Sequence, residues 1–436
     1  MSRQLTIGLF GFGVVGEGIY NVLQATPSLK STIKKICIEH PDKKRNAPSE
    51  LFTTSYDELL NDPDINLIVE LIDDAGEAFV IVSRALRAGK AVVSANKKMI
   101  AERIAELLEL QKQYGFPFLY EAAVCGSIPV IRNLEEYYDN DMLDGICGIV
   151  NGSTNYILTR IFEDKLDYPT ALLQAQSLGF AESDPSLDVE GIDAVNKLTI
   201  LLLHGYGIVS MPADHLHLGI NRLHGYDAAI ALEKGLKIKL TAQARKLPGG
   251  KVAAFVLPQF VTSDSQLYTV QNEYNGVVLQ SSFADKQFLY GKGAGRYPTA
   301  SAVLSDISAL RYDYRYEYRK QRADQGAELT RDFHLRIYVS FDVWTDVDRK
   351  DFEWVEEFHY HNERQYLVGV IHFEKLVSSE WINKKEVSLI VCPEGFVHYG
   401  EVEYKEIKEK FWKLSGSRPP VQKATESLKM VSELHV

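Results

Sequence analysis

Cysteine is scarce in this sequence. Cys37, Cys125, Cys147 and Cys392 are the four in 436 residues, and their spacing matches neither a zinc site nor a disulfide framework. Reduced thiols in a cytoplasmic protein are the simplest expectation. Long apolar runs are missing as well. No stretch of about 18 apolar residues occurs, so no membrane-spanning helix is expected. The opening residues, MSRQLTIGLFGFGVVG, lack the charged-then-apolar pattern and cleavage site of a secretion signal. Positive charge is in deficit, with 48 basic against 59 acidic side chains and a formal charge of -11. Neither nucleic acid nor an anionic membrane is therefore the expected partner. Histidines are few, and His359, His361 and His372 read as ordinary surface residues rather than a metal set.

What is present is ordinary for a globular protein: 45% hydrophobic and 25% charged residues, enough for two or three domains with their own cores. Short apolar runs at Leu5–Phe10, Ile36–Ile38, Ile65–Leu71, Ala91–Ser94 and Phe116–Tyr120 read as buried strands. Helical patterns stand between them, at 14–24 and at 75–88 before Gly89. Alternating strands and helices predict a doubly wound parallel sheet over roughly the first 125 residues. The pattern then changes. A strand at 145–150, an apolar helix at 191–204, strands at 252–260, 276–279 and 287–290, and a helix at 298–310 predict a second α+β domain. The charged, tyrosine-rich stretch RYDYRYEYRKQRADQGAE, from Arg311, resembles a linker. Beyond it, strands are expected at 333–341 and 365–373 with a helical pattern between them. Residues 387–392 and 400–404 read as further strands or a helix start, and a loose tail with Pro419-Pro420 follows Ser417.

Two features carry chemistry. Gly11-Phe12-Gly13-Val14-Val15-Gly16 is G-x-G-x-x-G between a strand and a helix. Gly11 permits the tight turn, Gly13 lets a pyrophosphate reach the backbone, and Gly16 lets helix and strand pack closely. The helix start offers free N–H groups and a positive dipole to the phosphates. Glu39, at the end of the second strand, is either placed to accept the ribose hydroxyls and to repel a 2′-phosphate, which favours NAD over NADP, or is a solvent-exposed glutamate at a strand end. Lys43, Lys44 and Arg45 follow closely and could hold that phosphate or form an ordinary solvated loop. The second feature is Asp193 and Lys197, four apart and so on one helix face. A lysine on an apolar helix needs a partner, and such a lysine is a plausible proton donor. A plain helical ion pair is the equal alternative from spacing alone.

Five further segments, Ser94-Ala95-Asn96-Lys97, Glu121-Ala122-Ala123-Val124, Asn151-Gly152-Ser153-Thr154-Asn155-Tyr156, AESDPSLDVEGIDAVNK from Ala181 to Lys197, and Gly293-Ala294-Gly295 with Pro298-Thr299-Ala300-Ser301, resemble the homoserine dehydrogenase family in order and spacing over residues 4 to 310. The resemblance implies an NAD(P)-dependent oxidoreductase that interconverts aspartate semialdehyde and homoserine. It implies Asp193, Lys197 and Lys97 as catalytic residues, and Glu182, Asp188 and Thr154 as substrate-binding. It places Gly11, Gly13, Val14, Val15, Gly16, Glu39, Ser94, Lys97 and Gly293 around the cofactor. It also implies a structural sodium ion among oxygens near Glu121, Val124, Gly126 and Ile128, and a homodimer formed by sheet pairing. The implied domains are 1–130 for the dinucleotide, 131–310 for catalysis and dimerisation, and 330–436 as a divergent ACT-like unit. Several positions depart from the family: Asp73-Asp74 replaces a glycine pair, Cys125 and Ser127 stand where glycines are usual, and Lys292 interrupts a glycine run. Phe341-Asp342-Val343-Trp344 replaces the acidic-proline-glycine turn of an ACT unit, which argues against threonine control. A dehydrogenase for another amino or hydroxy acid, and a non-enzymatic NAD sensor, are the rival readings.

Overall fold

A computed structural model describes residues 4–139, 142–322, 326–360 and 364–397. The expected element at 400–404, the tail from Ser417, and His361 lie outside the described residues.

The first sheet is built from β1 (Leu5–Phe10), β2 (Ser31–Cys37), β3 (Phe52–Thr53), β4 (Leu67–Glu70), β5 (Ala91–Ser94) and β6 (Phe118–Leu119). All neighbours are parallel, in the order β3-β2-β1-β4-β5-β6. β4 and β5 are buried along their whole length, as strands covered by helices on both faces must be. Strand order reverses between β1 and β4, and ligands bind such sheets in the crevice outside that point. β2 starts earlier than its apolar run because Ser31–Lys35 alternates between buried and exposed. β3 has only two residues and left no apolar run to read. Helices α1 (Val14–Ala25), α2 (Ala75–Arg87), α3 (Lys97–Glu102) and α4 (Ile104–Tyr114) connect the strands. Asp74 has a local explanation: its carboxylate caps α2 by accepting the Glu77 N–H at 2.7 Å.

The second sheet has nine strands: β7 (Leu143–Ile149), β8 (Lys237–Lys246), β9 (Val252–Val261), β10 (Tyr274–Ser281), β11 (Asp285–Lys292), β12 (His334–Phe341), β13 (Phe352–His359), β14 (Gln365–His372) and β15 (Ser388–Val397). Their order is β11-β10-β7-β8-β9-β15-β12-β14-β13. Neighbours are antiparallel except β9 and β15, which meet through the single parallel pair Gln259 and Val391. β8 escaped the sequence reading because its charged residues mask it. Lys239 lies inside, 2% exposed.

Helices α5 (Gly152–Glu163), α6 (Ile192–Tyr206) and α7 (Gly225–Glu233) pack on this sheet. From Asp193 to Tyr206 every residue of α6 is buried, the condition of a helix enclosed on all sides. A further helix, α8 (Arg296–Leu310), returns to the first sheet and lies against α1. There Gly18 leaves no room for a side chain beside Arg296 and Ala300.

Two expectations are corrected. The tyrosine-rich stretch after α8 is a packed strap rather than a loose linker. Tyr316 and Tyr318 are buried, and the Tyr316 hydroxyl accepts the Tyr120 N–H at 3.2 Å. The segment between β12 and β14 contains a strand, β13, and two short 3-10 turns at Trp344–Asp346 and Arg349–Asp351 instead of a helix. Pairing along β14 overrides the helical spacing of its apolar residues. One face of β12–β15 packs on α9 (Phe373–Ser378) and Trp381. The other receives α7, where buried Asp227 accepts the Tyr338 hydroxyl at 2.9 Å and the Ser340 hydroxyl at 2.6 Å.

Candidate active site

At the carboxyl end of β5, Ser94 and Asn96 start the turn that delivers Lys97. Asn96 caps α3 by accepting the Met99 N–H at 2.9 Å and donates to the Ile72 carbonyl at 3.1 Å. Ser94 is fully buried; its hydroxyl donates to Glu70 at 2.5 Å and accepts the Asn96 N–H at 3.0 Å. That hydroxyl is thus committed to the turn rather than presented to a ligand. Burial raises the Glu70 carboxyl to about 7, against the opposing pull of Ser94 and the Ile72 N–H.

Across the crevice, α6 opens on Gly191 with Asp193 in its first turn. The Asp193 carboxylate is 4% exposed and sits between two ammonium groups. Lys197 Nζ donates to Asp193 Oδ2 at 2.6 Å and to the Val150 carbonyl at 2.7 Å. Lys97 Nζ lies 2.6 Å from Asp193 Oδ1. The two lysines hold the Asp193 carboxyl far below the ordinary carboxylate range, overcoming its burial. Lys97 is raised in turn, first by Asp193 and to a smaller extent by Asp188 and Glu182. Its side chain is 45% exposed, so it faces the opening while Lys197 stays inside.

Asp188 accepts from the Asn151 amide at 2.6 Å. Glu182 is exposed nearby, with its backbone carbonyl taking the Gln176 amide at 2.9 Å. Thr154 is fully buried, and its hydroxyl donates to Asn151 Oδ1 at 2.8 Å. That bond shapes the turn into α5 and leaves the hydroxyl facing inward. Sequence reasoning quoted Asn151 without giving it a role, though an asparagine before a strand-to-helix turn is a capping signal. It gave no hint of Asn275, which is fully buried and donates to the Val150 carbonyl at 3.1 Å.

The glycine loop fits a dinucleotide. Gly11 has φ +90, and a side chain there would strike the Leu71 carbonyl at 2.7 Å. One on Gly16 would meet the Gly11 carbonyl oxygen at 2.4 Å, whereas Gly13 faces open space. Val14 is exposed and Val15 half-buried at the start of α1. The N-terminal turn of α8 lies alongside, with Arg296 paired to Glu17 at 3.0 Å. Gly293, just before that turn, is pressed against Asn275. Glu39 lies beyond the end of β2 with its side chain 86% exposed.

The loop expected to hold sodium is engaged otherwise at its carboxylate. Both Glu121 side-chain oxygens accept backbone N–H groups, from Ile131 and Arg132, each at 2.9 Å. Burial, and then the neighbouring Asp306, raise the Glu121 carboxyl to about 8. Both carboxylate oxygens are thus engaged within the loop's own backbone. Cys125 adopts φ +59, a left-handed backbone that suits glycine, and a side chain on Gly126 would strike the Gly293 carbonyl oxygen at 2.5 Å. Val124 and Ile128 are both buried in this loop. Among the described residues no group of three or more His, Cys, Asp or Glu side chains is arranged to hold a metal ion.

Comparison with known proteins agrees with this geometry. The family model "Homoserine dehydrogenase, NAD binding domain" matches residues 11–121, and "Homoserine dehydrogenase" matches residues 129–308. The chain belongs to the homoserine dehydrogenase family. Members of this family are NAD(P)-dependent oxidoreductases. The homoserine dehydrogenase of Bacillus subtilis is 35% identical over 360 residues, which span 78% of this chain and 83% of that one. The crystal structure of a homoserine dehydrogenase from Thiobacillus denitrificans superposes with a TM-score of 0.79 at 27% identity, covering 90% of this chain and 98% of that one. A hyperthermophilic archaeal homoserine dehydrogenase, solved in complex with NADPH, gives a TM-score of 0.61 at 27% identity, covering 72% of this chain and 99% of that one.

Proposed function

We propose that this chain interconverts L-aspartate 4-semialdehyde and L-homoserine with NAD(P), in the cytoplasmic pathway toward threonine, methionine and isoleucine, with Lys97, Asp193 and Lys197 as its catalytic residues. The observation that carries the reading is the Asp193 carboxylate, held 2.6 Å from each of two lysine ammonium groups at the crevice of a dinucleotide fold. The residues at the glycine loop, Gly11 to Gly16, would hold the pyrophosphate, with Ser94, Lys97 and Gly293 bordering the rest of the cofactor. When bound, the nicotinamide supplies or takes up the hydride.

The protein's own part is positioning and proton movement. Lys197 spends two N–H bonds on Asp193 and Val150, which leaves the third for the substrate oxygen. In the reductive direction Lys197 gives that oxygen its proton, and its positive charge stabilises the oxyanion as it forms. Lys97, closer to solvent, carries the replacement proton. Glu182 and Asp188 receive the substrate ammonium, and the turn shaped by Thr154 walls the site. Holding substrate against cofactor supplies much of the rate.

NAD is the preferred nucleotide on this reading. Glu39 is exposed, with His40 Nε2 beside it at 3.6 Å, and can turn to ribose hydroxyls, while the Arg45 guanidinium is engaged with the His40 and Lys43 carbonyls at 2.7 Å each. A structural cation near Glu121, Val124, Gly126 and Ile128 would draw on carbonyl oxygens only. A homodimer would form through the sheet face that carries half-buried Cys147, Tyr274, Val278 and Phe288. Residues 1–130 form the dinucleotide domain and 131–310 the catalytic and dimerisation domain. A divergent ACT-like unit, expected at 330–436, is supported in its described part by the antiparallel order β15-β12-β14-β13.

Initial rates of L-homoserine oxidation with NAD and with NADP, for the wild type and for Lys197→Ala and Asp193→Ala, test the reading. Turnover that collapses in both variants is expected, faster with NAD in the wild type. A folded, nucleotide-bound wild type with no turnover would sink it.

A further inference from the structure

The proposed mechanism uses Asp188 and Asp193 but leaves open what keeps two carboxylates in place side by side. We infer that Asn151 is a positioning residue for this centre, an amide clamp that fixes the lysine-bound carboxylate to the substrate-binding one. The inference rests on the functional reading above and adds a residue to it.

Asn151 is 5% exposed and stands between β7 and α5. Its side-chain nitrogen donates to Asp188 Oδ1 at 2.6 Å and to Asp193 Oδ2 at 2.9 Å. Its side-chain oxygen accepts the Thr154 N–H and the Thr154 hydroxyl, both at 2.8 Å. The orientation of the amide follows from these partners. Two carboxylates can only accept and a backbone N–H can only donate, so nitrogen and oxygen cannot exchange places. All four bonds of the amide are thereby accounted for. Asp193 Oδ2 also receives Lys197, so Asn151 and Lys197 set that oxygen from two directions. The adjoining Val150 carbonyl is the second acceptor for Lys197. Residues 150 and 151 therefore fix both the lysine and its counter-ion.

Helix capping alone would explain the oxygen of Asn151 but not its nitrogen. A capping role is equally served by serine or aspartate, whereas bridging two carboxylates needs a double donor. Asn151→Ser keeps a cap and removes the bridge. Asn151→Asp keeps cap and shape, removes the bridge, and sets a third carboxylate against Asp188 and Asp193. One of three adjacent carboxylates must then hold a proton at higher pH.

The test measures homoserine oxidation from about pH 6 to 10, nucleotide affinity and thermal unfolding in the wild type, Asn151→Ser and Asn151→Asp. We expect both variants to unfold cooperatively and to bind nucleotide as the wild type does. We expect kcat/KM to fall by about tenfold or more, the loss of a charge-assisted hydrogen bond. In Asn151→Asp the acidic limb of the rate profile should also move to higher pH. Wild-type kcat/KM and an unmoved profile in both variants would overturn the inference. So would loss of folding or of nucleotide binding in Asn151→Ser, which would make the residue a structural cap. A wild type without turnover would instead count against the functional reading itself.

Discussion

Replacing Asp193 by asparagine keeps the shape of the site and removes the buried negative charge between its two lysines. In the wild type this carboxylate is 4% exposed and lies 2.6 Å from both Lys97 and Lys197. Each charge-assisted bond of this kind contributes about 1.5 to 3 kcal/mol. Lys197 is 9% exposed and keeps only neutral oxygens, those of Val150 and the new amide, as acceptors, so it loses its counter-charge without gaining water. Lys97 is 45% exposed and regains water, so its share is discounted. A loss of about 3 kcal/mol follows, which is about a hundredfold in kcat/KM at about 1.4 kcal/mol per decade. The pH profile supplies an independent reading. Lys97 is raised chiefly by Asp193, so neutralising that carboxylate lets its proton leave at lower pH. The alkaline limb of aldehyde reduction should move down accordingly. Stopped-flow and steady-state rates with NADH, followed at 340 nm, measure both effects. An Asp193→Asn enzyme within about threefold of wild type, with its alkaline limb in place, would refute the ion-triad argument.

Three other outcomes follow from the packing. Burial lowers Lys239 to about 7 from the usual 10.5, so between those values the unfolded chain binds the extra proton and stability rises with pH. Lys239→Met also removes the bonds to Asn155 and the Val270 carbonyl, so its urea midpoint relative to wild type should be most favourable near neutral pH and fall toward pH 10; a difference independent of pH would contradict this. In Gly16→Ala the new carbon falls 2.4 Å from the Gly11 carbonyl oxygen, and calorimetry should find nucleotide binding weakened by about tenfold or more. Tyr318→Phe removes a hydroxyl shared with Tyr120 at 3.2 Å and Gln111 at 3.1 Å and should lower the thermal midpoint by the equivalent of about 1 kcal/mol. An unchanged midpoint would show that the strap is held by its rings alone.

Much of the fold was legible because its signals are local. The run Leu5–Phe10 ending in glycines, and the apolar strands Leu67–Glu70 and Ala91–Ser94, declare a parallel sheet by composition. The missed elements are those whose identity depends on distant partners. Lys237–Lys246 becomes a strand because β7 and β9 flank it, and its charges find burial only there. The tyrosines from Tyr312 to Tyr318 look like a solvated linker until Tyr120 and His204 receive two of them. In the site, Asp193 and Lys197 could be paired by helical spacing, and Lys97 came from the family resemblance. That Lys97 reaches the opposite oxygen of Asp193 depends on bringing β5 against α6, which no spacing encodes. Asn151 went without a role; its place before a helix is a local signal that could have marked it as a cap, whereas its bridge spans 37 and 42 residues.

The strap also bears on how ligands enter. Tyr120, at the end of the dinucleotide sheet, meets His204 Nε2 at 3.0 Å near the end of α6, and Tyr318 closes over both. His204 Nδ1 in turn engages Glu135 at 2.6 Å, and Lys320 donates to the His204 carbonyl at 2.9 Å. Swinging the two halves apart like a clamshell would tear these bonds out of a dry interior and leave each group without a partner. The end of the dinucleotide sheet and the end of the helix that carries Asp193 and Lys197 are thereby joined through buried hydrogen bonds. On the proposed mechanism, any separation of the glycine loop from that helix must first break this set of buried bonds, so the joint between the two halves opposes opening at the site.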